Sequence, residues 1–221
     1  MPKESKKAKL QRAAAIVEAL KEIYPDAECA LQYEGEPWRL LVMGRLSAQC
    51  TDARVNIVCR ELFDRFPTPD ALAYGPLEEI EAIVRPCGLY RTKAANIKDA
   101  CTRLVEIYGG TLPDNMEELL TFPGVGRKIA NLLLGDIYHR PAIVADTHCI
   151  RISERLGLTP SGCKDPEKTE RALIPLIEPA EQSDFCHRIV WFGREWCTAR
   201  SPKCDGCPLA ALCPSKEKRA W

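Results

Sequence analysis

Four cysteines near the C-terminus, Cys197, Cys204, Cys207 and Cys213, are spaced C-x6-C-x2-C-x5-C. Pro202, Gly206 and Pro208 turn the chain between them, so the four thiols make a compact tetradentate loop. Such a set satisfies a tetrahedral zinc ion or a 4Fe–4S cluster. Structural zinc commonly uses two CxxC pairs and only one occurs here, which favours the cluster and leaves zinc open. The other eight cysteines (Cys29, Cys50, Cys59, Cys87, Cys101, Cys149, Cys163 and Cys186) scatter, mostly on apolar helical faces, and read as core packing.

A second group of residues suggests nucleophilic chemistry. Residues 122–130 read FPGVGRKIA, between the helical stretches MEELLTF and KIANLLLG. Gly124 and Gly126, separated by Val125, let the backbone turn tightly and point its N–H groups outward. A nest of that kind at a helix N-terminus binds phosphate without reading bases. The spacing fits neither the nucleotide P-loop nor the dinucleotide fingerprint, and a plain helix–helix turn is the structural alternative. Lys128 falls in the first turn of the following helix, where the helix dipole and Arg127 both disfavour a second positive charge. Neutral amines are nucleophiles, although a lysine so placed is, taken alone, an ordinary solvated side chain. Eighteen residues on, AIVADTHCIRI places Asp146 just before another helix as an N-cap. A capping carboxylate is held at a fixed angle and can also act as a base or stabilise nearby positive charge. His148 reads as a hydrogen-bonded helix residue, and His139 and His187 carry no positional signal.

The elements that must hold these residues are helices. Prolines and glycines punctuate the 221 residues into helix-length segments with 3.6-residue periodicity. Ile97, Cys101, Leu104 and Tyr108 share one face, stopped by Gly109-Gly110. Leu40, Met43, Leu46 and Ala48 mark a second face. Val55, Ile57, Val58, Leu62, Phe63 and Phe66 belong to a third helix, ended by Pro67. Pro69, Pro76, Pro113 and Pro166 precede or open others. Alternating β-branched runs are absent, so the pattern predicts an all-α protein of about ten to twelve helices.

Bulk composition constrains the partners. Apolar content is 46% and charged content 28%, those of an ordinary globular chain. Thirty-one basic and 31 acidic residues balance, so any nucleic-acid binding must come from local patches. The ends are basic (Lys3, Lys6, Lys7, Lys9 and Arg12; Lys216, Lys218 and Arg219) and read as solvated tails. No apolar stretch reaches the length of a membrane span, and AAAIVEAL after the basic start is interrupted by Glu18, as an amphipathic helix would be. Twelve cysteines without an export signal place the chain in a reducing cytoplasm.

Together these pieces resemble the endonuclease III family, bifunctional DNA glycosylases and abasic-site lyases of the helix–hairpin–helix superfamily. The resemblance rests on the hairpin with its lysine, the VADTH segment, the lysine-to-aspartate interval, the cysteine spacing, LSAQCTD at 46–52 and GLYRTKAANI at 88–97, and spans about residues 8–219. It implies two helical lobes with an active-site cleft between them. One is a six-helix barrel, about 30–140, with its helix–hairpin–helix at about 115–135. The other joins 1–29 to 141–221 and carries a 4Fe–4S cluster in the loop 197–213. It implies that Lys128 attacks the sugar C1′ of a flipped nucleotide, with Asp146 stabilising the developing charge, so that the strand is cut by β-elimination. By the same resemblance Gln49 and Leu89 fill the hole left by the flipped base. Gly124, Val125, Gly126, Arg127, Arg200 and Lys203 contact DNA, and the protein is a monomer of the bacterial-type cytoplasm, associated with the nucleoid. Its implied partner is double-stranded DNA containing damaged pyrimidines or abasic sites, with no membrane involvement.

Two positions depart from the family's pattern: Arg45 stands where an apolar residue is expected, and Phe192 where many relatives carry histidine. The adenine-mismatch branch of the superfamily shares hairpin, aspartate and cluster. It generally lacks the lysine and adds a C-terminal recognition domain, whereas this sequence stops eight residues after Cys213. A DNA-binding module without catalysis accounts for the glycines and cysteines but leaves the Lys128–Asp146 interval as coincidence.

Overall fold

A computed structural model describes residues 4–215, so Lys3, Lys216, Lys218 and Arg219 of the basic ends lie outside the described residues. Those described form eleven α-helices and no strand. In chain order they are α1 (Lys6–Ile23), α2 (Pro37–Leu46), α3 (Asp52–Arg65), α4 (Pro69–Tyr74), α5 (Leu77–Val84), α6 (Tyr90–Tyr108), α7 (Met116–Leu119), α8 (Arg127–Asp136), α9 (Thr147–Arg155), α10 (Pro166–Leu173) and α11 (Gln182–Glu195). The all-helical expectation holds because each segment carries its own start signal. Side chains of Ser5, Thr51, Thr68, Asn115, Asp146 and Asp165 accept N–H bonds at the starts of α1, α3, α4, α7, α9 and α10. Pro69 and Pro166 occupy the first turns of α4 and α10. Gly109, at φ 59°, closes α6 in the left-handed conformation that glycine adopts freely.

The chain divides into two units, Cys29–Tyr138 and the flanking segments up to Glu28 and from His139 onward. In the central unit α6 is the longest helix and buries Ala94, Ile97, Ala100, Cys101 and Leu104, with α4 and α5 packed along it. Helix α2 packs on α3, α6 and α8. At Gly44 a Cβ would come within 3.2 Å of Ile129, so the missing side chain sets the close approach of α2 to α8. Two sequence expectations are corrected here, at Ala48 and at MEELLTF, while the placing of Ile57 in the third helix holds. Ala48 lies past the end of α2, in the turn that follows Leu46. Ile57 belongs to α3 but is 67% exposed, because the apolar face runs through Val55, Val58, Cys59 and Leu62. The helix predicted over MEELLTF stops at Leu119, where the hairpin turn begins.

In the flanking unit α1 packs on α11 through Ala13, Ile16, Val17 and Leu20. Arg12 is not a solvated tail residue. It pairs with Glu4 at 2.8 Å and donates to the carbonyls of Leu156 (2.5 Å) and Leu212 (3.3 Å), tying α1 to the C-terminal segment. Helix α9 packs on α10 and α11. The crossing of α9 and α11 is tight: a Cβ on Gly193 would lie 2.4 Å from His148 Nδ1 and 2.7 Å from Ile152 Cδ1. Helix α11 delivers the chain directly into the cysteine loop, where Cys197 N donates to Phe192 O at 3.0 Å.

Candidate functional site

The hairpin joins α7 to α8. Gly124 has φ 76°, a conformation that a side chain would strain. Val125 is buried and its N–H donates to Phe122 O at 3.0 Å, so this residue anchors the turn rather than facing outward. The backbone N–H groups of Gly124, Gly126 and Lys128 have no acceptor among the described residues. Gly126 is the N-cap of α8 and makes no side-chain cap bond. An exposed helix N-terminus with unpaired amides is an anion site. Arg127 and Lys128 are both exposed in that first turn, and the Lys128 side chain has no hydrogen-bonding or ionic partner among the described residues.

Two other turns of the central unit share an unusual feature. Gln49, just past α2, has φ 54°, and Leu89, the N-cap of α6, has φ 49°. Left-handed backbone at a residue with a bulky side chain costs roughly 1–3 kcal/mol and persists only where the surroundings impose it. The imposing group is Lys93, fully buried in the first turn of α6. Its Nζ donates to Leu46 O at 2.9 Å, three residues before Gln49, and to Cys87 O at 2.8 Å, two residues before Leu89. One ammonium thereby holds both turns, while Gln49 and Leu89 project into solvent, Leu89 at 63% exposure. The sequence reading assigned Lys93 no role. The signal was present: continuing the apolar stripe Leu104, Cys101, Ile97 backward by four residues reaches Lys93, a cation where the core face should be.

Asp146 belongs to the flanking unit. It is half-buried, and its Oδ1 accepts the Cys149 N–H at 2.7 Å as the N-cap of α9. The bond fixes the carboxylate at the helix start and leaves its second oxygen without a protein donor among the described residues. His148 is a hydrogen-bonding partner of Arg151, 3.1 Å away, as expected of a helix residue.

All four loop cysteines line one cavity with Phe192, Trp196, Pro202 and Leu209, and its walls are almost wholly apolar. Among the described residues no three histidine, cysteine or carboxylate side chains converge on a single-ion site. A zinc ion draws its thiolates to one point about 2.3 Å away, whereas a cubane binds each thiolate to a different iron and suits thiols spread around a pocket. Burial pushes the Cys207 thiol up, so thiolates are stable there only against a cationic centre. The residues present therefore fit a 4Fe–4S cluster. The first cysteine of the loop is braced from α9, a support the sequence reading missed. Arg155 Nη1 donates to Cys197 Sγ (3.3 Å) and Thr198 O (2.7 Å), its Nη2 to Ala199 O (2.9 Å), and Arg151 Nη2 to Cys197 O (3.0 Å). Arg200 and Lys203 are exposed on this loop, Lys203 with its ammonium 6.0 Å from the Trp196 ring centre.

Comparison with known proteins identifies this architecture. Residues 42–179 match the HhH-GPD superfamily of base excision DNA repair proteins, and residues 197–213 match the iron-sulfur binding domain of endonuclease III. Endonuclease III of Synechocystis sp. is 47% identical over 95% of this chain and 95% of its own. A solved structure of a trapped endonuclease III–DNA covalent intermediate superposes with a TM-score of 0.89 at 41% identity, covering 95% of this chain and 98% of that one. A thermostable thymine-DNA glycosylase shares the fold, with a TM-score of 0.82 at 21% identity. The chain belongs to the endonuclease III family of base-excision DNA repair enzymes and carries that family's iron–sulfur domain.

Proposed function

We propose that this DNA glycosylase and abasic-site lyase acts through Lys128, and that the central unit reads double-stranded DNA while the flanking unit carries the 4Fe–4S cluster on Cys197, Cys204, Cys207 and Cys213. The observation that carries the proposal is a lysine without a partner among the described residues, exposed in the first turn of α8 beside unpaired hairpin amides. Those amides at Gly124 and Gly126 take a backbone phosphate, Val125 anchors their turn, and Arg127 keeps the site positive. Gln49 and Leu89 enter the stack where the oxidised pyrimidine has been flipped out, since extrusion leaves a gap that a side chain must fill. Their imposed left-handed backbones support that role.

In the reaction the neutral Lys128 amine attacks C1′ as the glycosidic bond breaks, and the base leaves with the bonding pair and a proton. The aminal opens to an imine between Nζ and C1′, which acidifies C2′. Loss of a C2′ proton then expels the 3′ phosphate by β-elimination. Asp146, held by its capping bond, stabilises positive charge at C1′ and relays protons. Cys197, Cys204, Cys207 and Cys213 would hold the cluster, which would brace the loop on which Arg200 and Lys203 add phosphate contacts. The protein works as a monomer in a bacterial cytoplasm, at the nucleoid. Among the described residues no helix is long and apolar enough to cross a membrane.

Borohydride added to the protein with a duplex containing an abasic site or thymine glycol tests this. A covalent adduct is expected from the wild type and none from Lys128→Gln. Wild-type protein that binds the duplex and yields no adduct would refute lyase chemistry and return the chain to the adenine-mismatch or non-catalytic reading.

A further inference from the structure

Arg45, the cation that the sequence sets where an apolar residue is expected, lies in the last turn of α2, under the hairpin. A Cβ placed on Gly124 would fall 2.4 Å from Arg45 Nε, 2.7 Å from its Cδ and 2.7 Å from the side-chain amide of Asn96, so the arginine side chain is pressed against the turn itself. With its amide oxygen facing the arginine, Asn96 of α6 accepts from Nε at 2.9 Å and from Nη2 at 2.8 Å. That fork fixes the guanidinium with a neutral partner. No carboxylate among the described residues pairs with it, and the nearby charge is another cation, Lys93. Burial alone weakens the hold of this guanidinium on its proton. A half-buried arginine normally acquires an anion, because desolvating its charge is costly and a bidentate oxyanion restores what is lost. Nη1 has no hydrogen-bond acceptor among the described residues, and the amides of the adjoining turn lack acceptors as well.

We propose that Arg45 is a further phosphate-binding residue of the DNA site: held by Asn96 beneath Gly124, it supplies the positive charge for the backbone phosphate received by the hairpin amides. The inference rests on reading the hairpin as the phosphate site. It gives Asn96 the part of a positioning residue and makes the tight fit at Gly124 a means of placing a cation at the amides.

Fluorescence anisotropy with a labelled duplex carrying a tetrahydrofuran abasic analogue, titrated from about 50 to about 200 mM KCl, tests both layers. Arg45→Met is expected to weaken binding roughly tenfold, the worth of one charge-assisted contact. The slope of log K against log salt should become shallower by about 0.9, one phosphate fewer. Arg45→Lys should keep the wild-type slope, and Asn96→Ala should weaken binding with that slope retained. An unchanged slope in Arg45→Met overturns the proposal whether or not affinity falls, since a residue that only props the turn releases no counterion. Gly126→Pro reports on the underlying reading separately: it deletes a neutral amide donor at a position where an added Cβ meets no atom within 4 Å. It should lower affinity without altering the slope. If Gly126→Pro binds like wild type while Arg45→Met flattens the slope, the hairpin reading fails and the arginine contact stands.

Discussion

Replacing Lys93 by methionine tests whether one buried ammonium sets both the Gln49 and the Leu89 turns. Methionine retains most of the side chain's length and apolar packing and removes the charge. Two hydrogen bonds of 2.8 and 2.9 Å disappear, each worth roughly 1.5–3 kcal/mol with a charged donor. Against that, an ammonium no longer has to be desolvated, which returns several kcal/mol. These two effects largely cancel, leaving the two carbonyls of Leu46 and Cys87 without donors at about 1–3 kcal/mol each. A net destabilisation of about 2–6 kcal/mol follows, equivalent to a melting shift of roughly 4–24 °C for a chain of this size. With the turns released, Gln49 and Leu89 are free to leave φ values that cost energy, and excision from duplex should fall more than trapping on single-stranded abasic DNA. Stability should also respond to pH. Burial lowers the Lys93 value below its ordinary 10.5, so the unfolded chain binds this proton more tightly. Wild-type stability relative to the methionine variant therefore rises as pH climbs through the window between the lowered value and 10.5, where the unfolded state alone still holds the proton. Calorimetry at several pH values, with parallel duplex and single-strand assays, measures all three effects. A variant that melts within about 1 °C of wild type and excises normally would show that the turns are held by something other than Lys93.

Two further substitutions separate structure from chemistry. Asp146→Asn should leave thermal melting nearly unchanged, since asparagine caps helices as well as aspartate does, while the excision rate falls by about 10²-fold or more for loss of the charged group; equal loss of stability and activity would reduce Asp146 to a cap. Arg155→Met removes the donors to Cys197 Sγ, Thr198 O and Ala199 O. It should hasten loss of the iron–sulfur absorbance to a chelator and lower the cluster's reduction potential, because N–H bonds to a ligating sulfur stabilise the reduced state. Unaltered potential and bleaching rate would assign Arg155 to loop packing alone.

What this sequence determined by itself is what spacing and local chemistry dictate. The helices begin at Ser, Thr, Asn, Asp and Pro signals and α6 stops at Gly109, because caps act within a turn or two of chain. The cysteine loop was legible because all four thiols lie within one short segment, and Lys128 stands out as a candidate because the hairpin precedes it directly. Tertiary structure decided what depends on groups distant in sequence. Lys93 is 47 positions from the Leu46 carbonyl it holds, and no local pattern reveals that a lysine is buried rather than solvated. Likewise, Arg155 braces Cys197 from 42 residues away. Arg45, which reads as a misplaced charge on an apolar helix face, acquires a purpose only when Asn96 and Gly124 close around it. A buried cation is tolerated only where folding assembles its acceptors, and that assembly is a property of three dimensions.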